Sequence, residues 1–275
     1  MAQTVDFRSI SLRIDDGVAT LTLNRPERLN AIGASMGAEL RAAWQQIDDD
    51  EDARVVIVTG AGRGFCSGLD LTDRAGDAPA PDDHAGYADS VKLTALHCGV
   101  WKPVITAVNG VCAGGGLHFI ADSDITICSE EATFLDPHVS VGQVSALEPI
   151  GLLRRIPFEA VMRMSLLGRA ERLTAHEALR WGLVSEVVEA GELMARAREL
   201  AEGVAGNSPA AVMATKRAIW ESLDHGLSAG LLNGWRILQE HYVHPDVEEG
   251  PRAFAEKRQP RWAKLSARRS GSSEQ

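Results

Sequence analysis

The sequence predicts an α/β core followed by a helical region, and two observations support this prediction. In the first half of the chain, short apolar runs typical of strands alternate with amphipathic runs typical of helices, and this alternation implies parallel strand pairing. From about residue 146 onward, helical patterns predominate. We therefore predict an α/β core over residues 1–200, a helical region over 201–265 and a disordered tail over 266–275.

The strands of the first half are predicted from two kinds of pattern. Residues 17–24 (GVATLTLN) alternate between two faces, as a half-buried strand does. Three later runs are short, apolar and β-branched, as buried parallel strands are: ARVVIVTG at 53–60, KPVITAVNG at 102–110 and SDITICS at 123–129. Between the first two of these four strands, residues 35–50 predict an amphipathic helix whose apolar face holds Met36, Leu40, Ala43, Trp44 and Ile47.

The second half carries helix boundaries in its sequence. Within RLTAHEALRWG, Thr174 and Glu177 have the spacing of a capping box, and Gly182 is placed to end the helix. Three further amphipathic stretches predict helices: residues 208–226, residues 227–243, and residues 246–265, the last stopped by Pro260.

One insertion differs in kind from the segments around it. Residues 72–90 are rich in Ala, Pro, Asp and Gly and lie between a predicted strand and the next helix. We predict a mobile surface segment there that helps to wall a ligand pocket.

Composition excludes several classes of function. The net charge of −10 argues against non-specific binding to nucleic acid or to an anionic membrane. No apolar run approaches the roughly 18 residues that a membrane span needs. The four cysteines have no C-x-x-C spacing, so we expect reduced, buried thiols, a cytoplasmic location and a packing role for Cys66 and Cys112.

Two glycine-bearing stretches follow predicted strands: TGAGRGFCSGLDL at 59–71 and NGVCAGGGLHF at 109–119. Glycine lets a ligand atom approach the main chain, and N–H groups at strand ends and helix starts are free to bind it. Two such donors could stabilise one carbonyl oxygen as it gains negative charge. A phosphate loop is the competing interpretation, but no lysine follows the glycines as the phosphate-binding fingerprint requires.

Six collinear motifs carry a family resemblance. The chain resembles the enoyl-CoA hydratase/isomerase family, the crotonase superfamily, from about residue 10 to 262. The motifs are LNRPERLNAI at 23–32, GRGFCSGLDL at 62–71, AVNGVCAGGGLHFIADSDI at 107–125, LTAHEALRWGLVSEVV at 173–188, SPAAVMATKRAI at 208–219 and AFAEKRQPRW at 253–262.

The resemblance implies a crotonase-like fold of repeated ββα units, with a helical C-terminal region that assembles a homotrimer or a dimer of trimers. It implies an acyl-CoA thioester as substrate, so coenzyme A enters with the substrate and no separate cofactor is expected. The backbone N–H groups of Leu69 and Gly115 would be the oxyanion donors. The residues expected to contact coenzyme A are Arg28, Ser67, Gly68, Leu69 and Lys257.

The sequence departs from the family at both acid/base positions. Typical hydratases of the family carry a glutamate at each, whereas this chain has His118 and His138. Imidazole titrates near neutral pH, so a histidine at each position is compatible with retained proton transfer by a different carrier. Asp136 or Glu148 could orient His138, and the sequence does not choose between them. We assign no such role to the other six histidines and expect no metal site, because no third ligand is in register.

Three hypotheses for function remain open. The first is a hydratase-type enzyme that stabilises a thioester enolate with its backbone donors and moves protons with the histidine pair. The second is a hydrolase that uses the same residues to direct water at a thioester or at a β-diketone carbonyl, cleaving a carbon–carbon bond. The third is a non-catalytic acyl-CoA binder.

Overall fold

The computed structural model of the chain describes residues 3–72 and 91–265. It contains two β-sheets and the helices that cover them, which confirms the predicted α/β class. All but the first residue of the segment predicted to wall a ligand pocket lies outside the described residues, as does the predicted tail.

Eleven strands occur in the described part of the chain. They are β1 (Gln3–Asp6), β2 (Ile10–Asp15), β3 (Val18–Leu23), β4 (Val55–Gly60), β5 (Gly64–Cys66), β6 (Val104–Val108), β7 (Val111–Ala113), β8 (Ile125–Ser129), β9 (Thr133–Leu135), β10 (Leu173–Thr174) and β11 (Glu186–Val188). The four strands predicted from the first half of the sequence correspond to β3, β4, β6 and β8.

Nine α-helices lie within the same described ranges, and none of them has the length and apolar character needed to cross a bilayer. They are α1 (Ala34–Asp49), α2 (Leu117–Ala121), α3 (Leu147–Leu152), α4 (Phe158–Leu167), α5 (Ala175–Trp181), α6 (Leu193–Ala205), α7 (Pro209–Ser222), α8 (Leu227–His241) and α9 (Asp246–Ala255).

The larger sheet has the strand order β1–β2–β3–β4–β6–β8–β11, antiparallel up to β3 and parallel from β3 onward. The smaller sheet has the order β10–β9–β7–β5, with β5, β7 and β9 mutually parallel. Three successive strand pairs, β4/β5, β6/β7 and β8/β9, each place their first strand in the larger sheet and their second in the smaller one. The chain is therefore built from a repeated two-strand unit.

Two hydrophobic layers follow from the two-residue period of the parallel strands. In β4, Val55 and Ile57 face a layer that α6 covers, while Val56 and Val58 face the main core between the sheets. Helix α1 contributes to that main core the apolar face that the sequence predicts, Met36, Leu40, Ala43, Trp44 and Ile47, all buried. The core thus holds both sheets in fixed relation.

The structure confirms one predicted helix boundary and corrects another. Thr174 and Glu177 form the capping box of α5, and Gly182 ends that helix in the left-handed conformation. Helix α9 ends at Ala255, so the prediction that Pro260 stops it is wrong. Lys257 has a φ of 53°, and the N–H of the following residue, Arg258, bonds back to the carbonyl of Ala253, which closes the helix by a Schellman-type turn.

The loops that follow the three parallel strands of the smaller sheet begin at the same edge of that sheet. Cys66 is opposite Cys112, and Ala113 is opposite Leu135, so β5, β7 and β9 end nearly level with one another. The segments that leave these ends are residues 67–69, 114–118 and 136–138. Because the carboxyl ends of parallel strands meet at the same edge, these three segments lie side by side.

A buried asparagine ties the loop after β3 to the start of β5. The Asn30 carboxamide accepts from the N–H of Arg25 (2.8 Å) and donates to the carbonyls of Ala61 (3.0 Å) and Gly64 (2.8 Å). Its backbone has a φ of 56°, a left-handed conformation that asparagine tolerates better than most residues. This anchor holds the segment that follows it, including Ile32, against residues 68–70.

Replacing Asn30 with alanine should therefore destabilise the protein. The Asn30→Ala change leaves buried backbone groups without partners and puts alanine in a left-handed conformation, which we expect to lower the free energy of unfolding by about 2–4 kcal/mol. Urea denaturation followed by circular dichroism measures this. Gln45→Ala, at an exposed position of α1, is the control and should change stability by less than about 0.5 kcal/mol. Equal stabilities of the two variants would contradict the anchoring role.

Candidate active site

The N–H of Leu69 is directed away from its neighbouring chain segment. Leu69 pairs with Ile32 in a short parallel bridge, in which Ile32 donates to the carbonyl of Gly68 (2.8 Å) and Asp70 donates to the carbonyl of Ile32 (3.0 Å). Successive N–H groups of an extended chain point to opposite sides. Since the N–H of Asp70 points at Ile32, the N–H of Leu69 points the other way, toward the loop after β7.

The loop after β7 approaches the loop after β5 so closely that only glycine fits at position 68. A Cβ built on Gly68 would lie 2.9 Å from the carbonyl oxygen of Ala113 and 3.3 Å from the nitrogen of Gly115. One built on Gly115 would lie 3.8 Å from the nitrogen of Leu69. The φ of 92° at Gly68 excludes a side chain independently. The backbone amides of Leu69 and Gly115 are therefore neighbours, as two donors to one oxygen must be.

His138 begins the turn that follows β9, and its ring is held by a carboxylate. Its Nδ1 lies 2.6 Å from Oδ1 of Asp136, a fully buried carboxylate whose other oxygen accepts from the hydroxyl of Ser145. Of the two carboxylates that the sequence left open, Asp136 is the one that orients the His138 ring. The hydrogen bond from His138 to Asp136 raises the pKa of His138 above its usual value, against the opposing effect of burial.

His118 is the second residue of α2 and pairs with Glu148 instead. Its Nε2 lies 3.3 Å from Oε1 of Glu148, and the same oxygen lies 3.9 Å from Nε2 of His138. Burial by itself would raise the pKa of Glu148. Opposing effects, chiefly the hydrogen bond and the charge interaction with His118, are larger together, so the pKa of Glu148 lies below its usual value. Helix α3 brings Glu148 there because it packs tightly on α2: a Cβ at Gly151 would lie 3.0 Å from that of Ala121.

The residues predicted as acid/base groups and those predicted as backbone donors lie close together. A Cβ on Gly114 would lie 3.4 Å from Cε1 of His138, so the imidazole lies against the glycine loop. His118 follows Gly115 within the same turn of chain. The structure thus brings together Leu69, Gly115, His118, His138, Asp136 and Glu148, six residues that the sequence analysis names.

A third histidine, to which the sequence analysis assigns no role, also lies in the cluster. The His97 ring is 5.2 Å from that of His118, and its Nε2 lies 3.2 Å from Oδ2 of Asp122. No motif marks His97, which precedes His118 by 21 residues. Only the packing of the turn at Leu96–Cys98 against α2 reveals it.

One group of donor atoms has a spacing that could admit a metal ion. In the described part of the chain, atoms of His97, His118 and Asp122 lie within 4.8 Å of one another. Oδ2 of Asp122 already accepts a hydrogen bond from the hydroxyl of Thr94 (2.7 Å) and lies 3.2 Å from Nε2 of His97. An ion would therefore have to replace an existing hydrogen-bonded arrangement.

Only some of the residues expected to contact coenzyme A lie next to one another. The hydroxyl of Ser67 donates to the carbonyl of Arg28 at 3.2 Å, which joins their two loops, and Gly68 follows directly. The Arg28 side chain is exposed. Lys257 is also exposed, after α9, and no hydrogen bond or ion pair among the described residues connects it with Arg28 or Ser67.

The cysteines beneath the glycine loops are buried and free. Cys66 and Cys112 face each other across β5 and β7. Burial raises the pKa of the Cys66 thiol to about 12 and that of Cys112 well above its usual value. Both stay protonated at neutral pH, in keeping with a packing role.

Comparison with known proteins gives one consistent result. The sequence pattern of the enoyl-CoA hydratase/isomerase family matches residues 13–265. (E)-Benzylidenesuccinyl-CoA hydratase from Thauera aromatica is 37% identical over 258 residues, which cover 91% of this chain and 97% of that protein. Carnitinyl-CoA dehydratase from Proteus mirabilis (strain HI4320) is 41% identical over 269 residues, 93% of this chain and 98% of that one.

A solved structure agrees with these matches. The enoyl-CoA hydratase/isomerase from Mycobacterium paratuberculosis superposes with a TM-score of 0.85 at 40% sequence identity, over 94% of this chain and 98% of that one. The likeness therefore extends over the α/β core and the C-terminal helices alike.

The contact between Asp136 and His138 predicts a change in titration. Asp136→Asn removes the charge that raises the pKa of His138, so we expect the pKa of His138 to fall. NMR titration of protein labelled with ¹³C at histidine Cε1 measures it. Asp224→Asn, which removes an exposed carboxylate paired with Arg154, is the control and should leave the His138 titration in place. An unchanged pKa of His138 in Asp136→Asn would contradict this account of the pair.

Proposed function

Because the chain belongs to the enoyl-CoA hydratase/isomerase family, we propose that it is a lyase that adds water to the double bond of an enoyl-CoA thioester, or removes it from the hydroxyacyl product. The two curated relatives named above are a hydratase and a dehydratase, which are the two directions of this reaction. The observation that carries the proposal is the place of Glu148, whose Oε1 lies between Nε2 of His118 and Nε2 of His138.

The backbone donors serve the thioester oxygen in this proposal. Adding or removing a proton at Cα passes through an enolate, and the negative charge of the enolate falls on that oxygen. N–H groups of Leu69 and Gly115 that already point at the oxygen stabilise the charge without reorganising. Support comes from the close approach of the two main chains at Gly68, which has no room for a side chain.

Each histidine transfers one of the two protons of the reaction. In hydration, Nε2 of His138 takes a proton from water as the water oxygen bonds to Cβ, and the electron pair of the double bond moves into the enolate. The enolate then takes a proton from His118 at Cα. Dehydration runs the same steps in reverse. Asp136 supports His138 as the base, since a carboxylate on Nδ1 stabilises the imidazolium that forms.

Coenzyme A binding is assigned to the exposed cationic positions. Arg28 and Lys257 contact its phosphates, and the loop at Ser67–Leu69 contacts the part next to the thioester. Support comes from the exposure of both cations and from the bond between the Ser67 hydroxyl and the Arg28 carbonyl, which holds Arg28 beside the glycine loop.

A hydrolase is the second candidate, and one observation favours it. The 2.6 Å contact between Asp136 and His138, with Ser145 on the second carboxylate oxygen, is the kind of arrangement that activates water as a nucleophile. Water directed at a carbonyl carbon, instead of at Cβ, would cleave a thioester or a carbon–carbon bond next to a ketone.

The protein assembles as a homotrimer or as a dimer of trimers in this proposal. Helix α8 exposes large apolar side chains that a water-facing helix would not carry: Leu227, Leu231, Leu232 and Trp235 are 80%, 66%, 71% and 53% exposed. Apolar surface of this kind is typical of an interface between protein chains.

Isotope labelling separates the candidate functions. We expect that incubation with a panel of enoyl-CoA and β-ketoacyl-CoA thioesters in ¹⁸O-labelled water gives label in an intact, hydrated thioester, detected by mass spectrometry. His118→Ala and His138→Ala should each lower kcat by about a hundredfold or more, because each removes an acid/base group. His225→Ala, at an exposed position, is the matched control.

Other outcomes of the same assay point elsewhere. Label in a new carboxylate would identify a hydrolase. Binding of thioesters without any labelled product would identify a non-catalytic binder. Undiminished turnover in both histidine variants would contradict the assigned roles of His118 and His138 whatever the reaction.

Assembly is tested by light scattering after size exclusion. The wild-type protein should have three or six times the chain mass of 29.5 kDa. Leu231→Lys places a charge in the proposed interface and should shift the protein toward the single-chain mass. Leu179→Lys, at an exposed position of α5, is the control and should keep the wild-type mass. A wild-type mass of one chain would contradict the proposal.

A further inference from the structure

His97 lies directly against the ring of His118. The two ring centroids are 5.2 Å apart and the ring planes meet at 73°, an edge-to-face contact. Both side chains are largely buried, at 15% exposure for His97 and 7% for His118. The His118 ring therefore contacts His97 with its ring and Glu148 with its Nε2.

His97 also contacts the carboxylate that follows the helix carrying His118. Its Nε2 lies 3.2 Å from Oδ2 of Asp122, which accepts a hydrogen bond from the Thr94 hydroxyl. The N–H of Asp122 bonds to the carbonyl of His118 at the end of α2 (3.0 Å). A shift of His97 relative to α2 would break its close contact with Asp122, which favours a fixed relative position of the two rings.

The surroundings of His97 favour a neutral ring. Its Nε2 faces the Asp122 carboxylate, with 3.2 Å between Nε2 and Oδ2. Nδ1 is buried and has no hydrogen-bond partner among the described residues, so a proton there would be left without an acceptor. Burial lowers the pKa of His97, and nearby His118 adds to that effect, whereas Asp122 and Glu148 oppose it.

We propose that His97 is a positioning residue for His118. Anchored to Asp122 and uncharged, its ring holds the ring of His118 so that Nε2 faces Glu148. A charged ring at this distance would repel the imidazolium that His118 becomes when it takes a proton. Only the consequence for turnover rests on the proposed function; the placing of the ring does not.

A pair of substitutions separates the effect of the His97 ring from that of its polar contact with Asp122. His97→Gln keeps an amide donor for Asp122 and so protects the fold, but removes the ring. His97→Phe keeps a ring beside His118 and loses the donor. His225→Ala, at an exposed position, is the control. We would determine crystal structures of the full-length wild-type protein and of both His97 variants.

In the wild type and in His97→Phe, we expect His118 Nε2 to remain near 3.3 Å from Glu148. In His97→Gln, we expect the His118 ring to turn and this contact to be lost. An unchanged distance between His118 and Glu148 in His97→Gln would overturn the proposal. This result is independent of any activity, so it decides the proposal even for a protein that turns over no thioester.

Kinetics provide the second readout. Because small displacements of an acid/base group are costly, kcat of His97→Gln should fall by about tenfold or more while KM changes by less than about threefold. His97→Phe should recover kcat to within about threefold of the wild type. If kcat of His97→Gln falls only in proportion to the fraction of protein that is folded, the positioning role would be overturned. Absence of turnover in the wild type would instead count against the proposed function.

Discussion

Parallel pairing of β5, β7 and β9 in the smaller sheet is the constraint on which the candidate site depends. The registers of these strands place their three carboxyl ends at one edge of the sheet, and a different segment of the candidate site follows each end. The first and second present backbone N–H groups at Leu69 and Gly115, and the third presents His138. A slip of one strand would turn its side chains to the other face and separate these groups. The larger sheet keeps the edge in place because each two-strand unit spans both layers.

Close packing of main chains makes the proposed donors, the N–H groups of Leu69 and Gly115, rigid. At Gly68 the loop after β5 touches the loop after β7 so closely that a Cβ would meet backbone atoms. Donors held this way cannot turn toward water when the charge on a bound oxygen grows. Electrostatic stabilisation by fixed donors is strongest when no reorganisation is needed. Asn30 contributes by fixing the chain before Ile32 to Ala61 and to Gly64 at the start of β5, and Ile32 in turn pairs with Leu69.

A series of largely buried ionisable groups lies beside the glycine loops. It runs from Asp122 through the adjacent rings of His97 and His118 to Glu148, and from there through His138 to Asp136. Burying so many ionisable groups is costly unless each carboxylate has a donor. Here each has at least one: the Thr94 hydroxyl for Asp122, His118 for Glu148 and His138 for Asp136. The placing of Glu148 between His118 and His138 gives protons neighbouring sites, which suits the proposed reaction.

Local pattern and motif were sufficient for a large part of this protein. Alternation identified β3 and the 3.6-residue period identified the buried face of α1, because burial of one face leaves a periodic trace in the sequence. Continuous apolar β-branched runs identified β4, β6 and β8, because burial on both faces leaves no polar positions. The family motifs named Leu69, Gly115, His118 and His138 because they are short, contiguous segments. Only the tertiary structure decided that Asp136 holds His138 while Glu148 faces His118, and that His97 lies in the cluster. Those contacts join segments that are distant in sequence, and their distances depend on how α2, α3 and the turn at Leu96–Cys98 pack. The end of α9 at Ala255 was also decided there, since a left-handed residue at Lys257 closed the helix before Pro260 could.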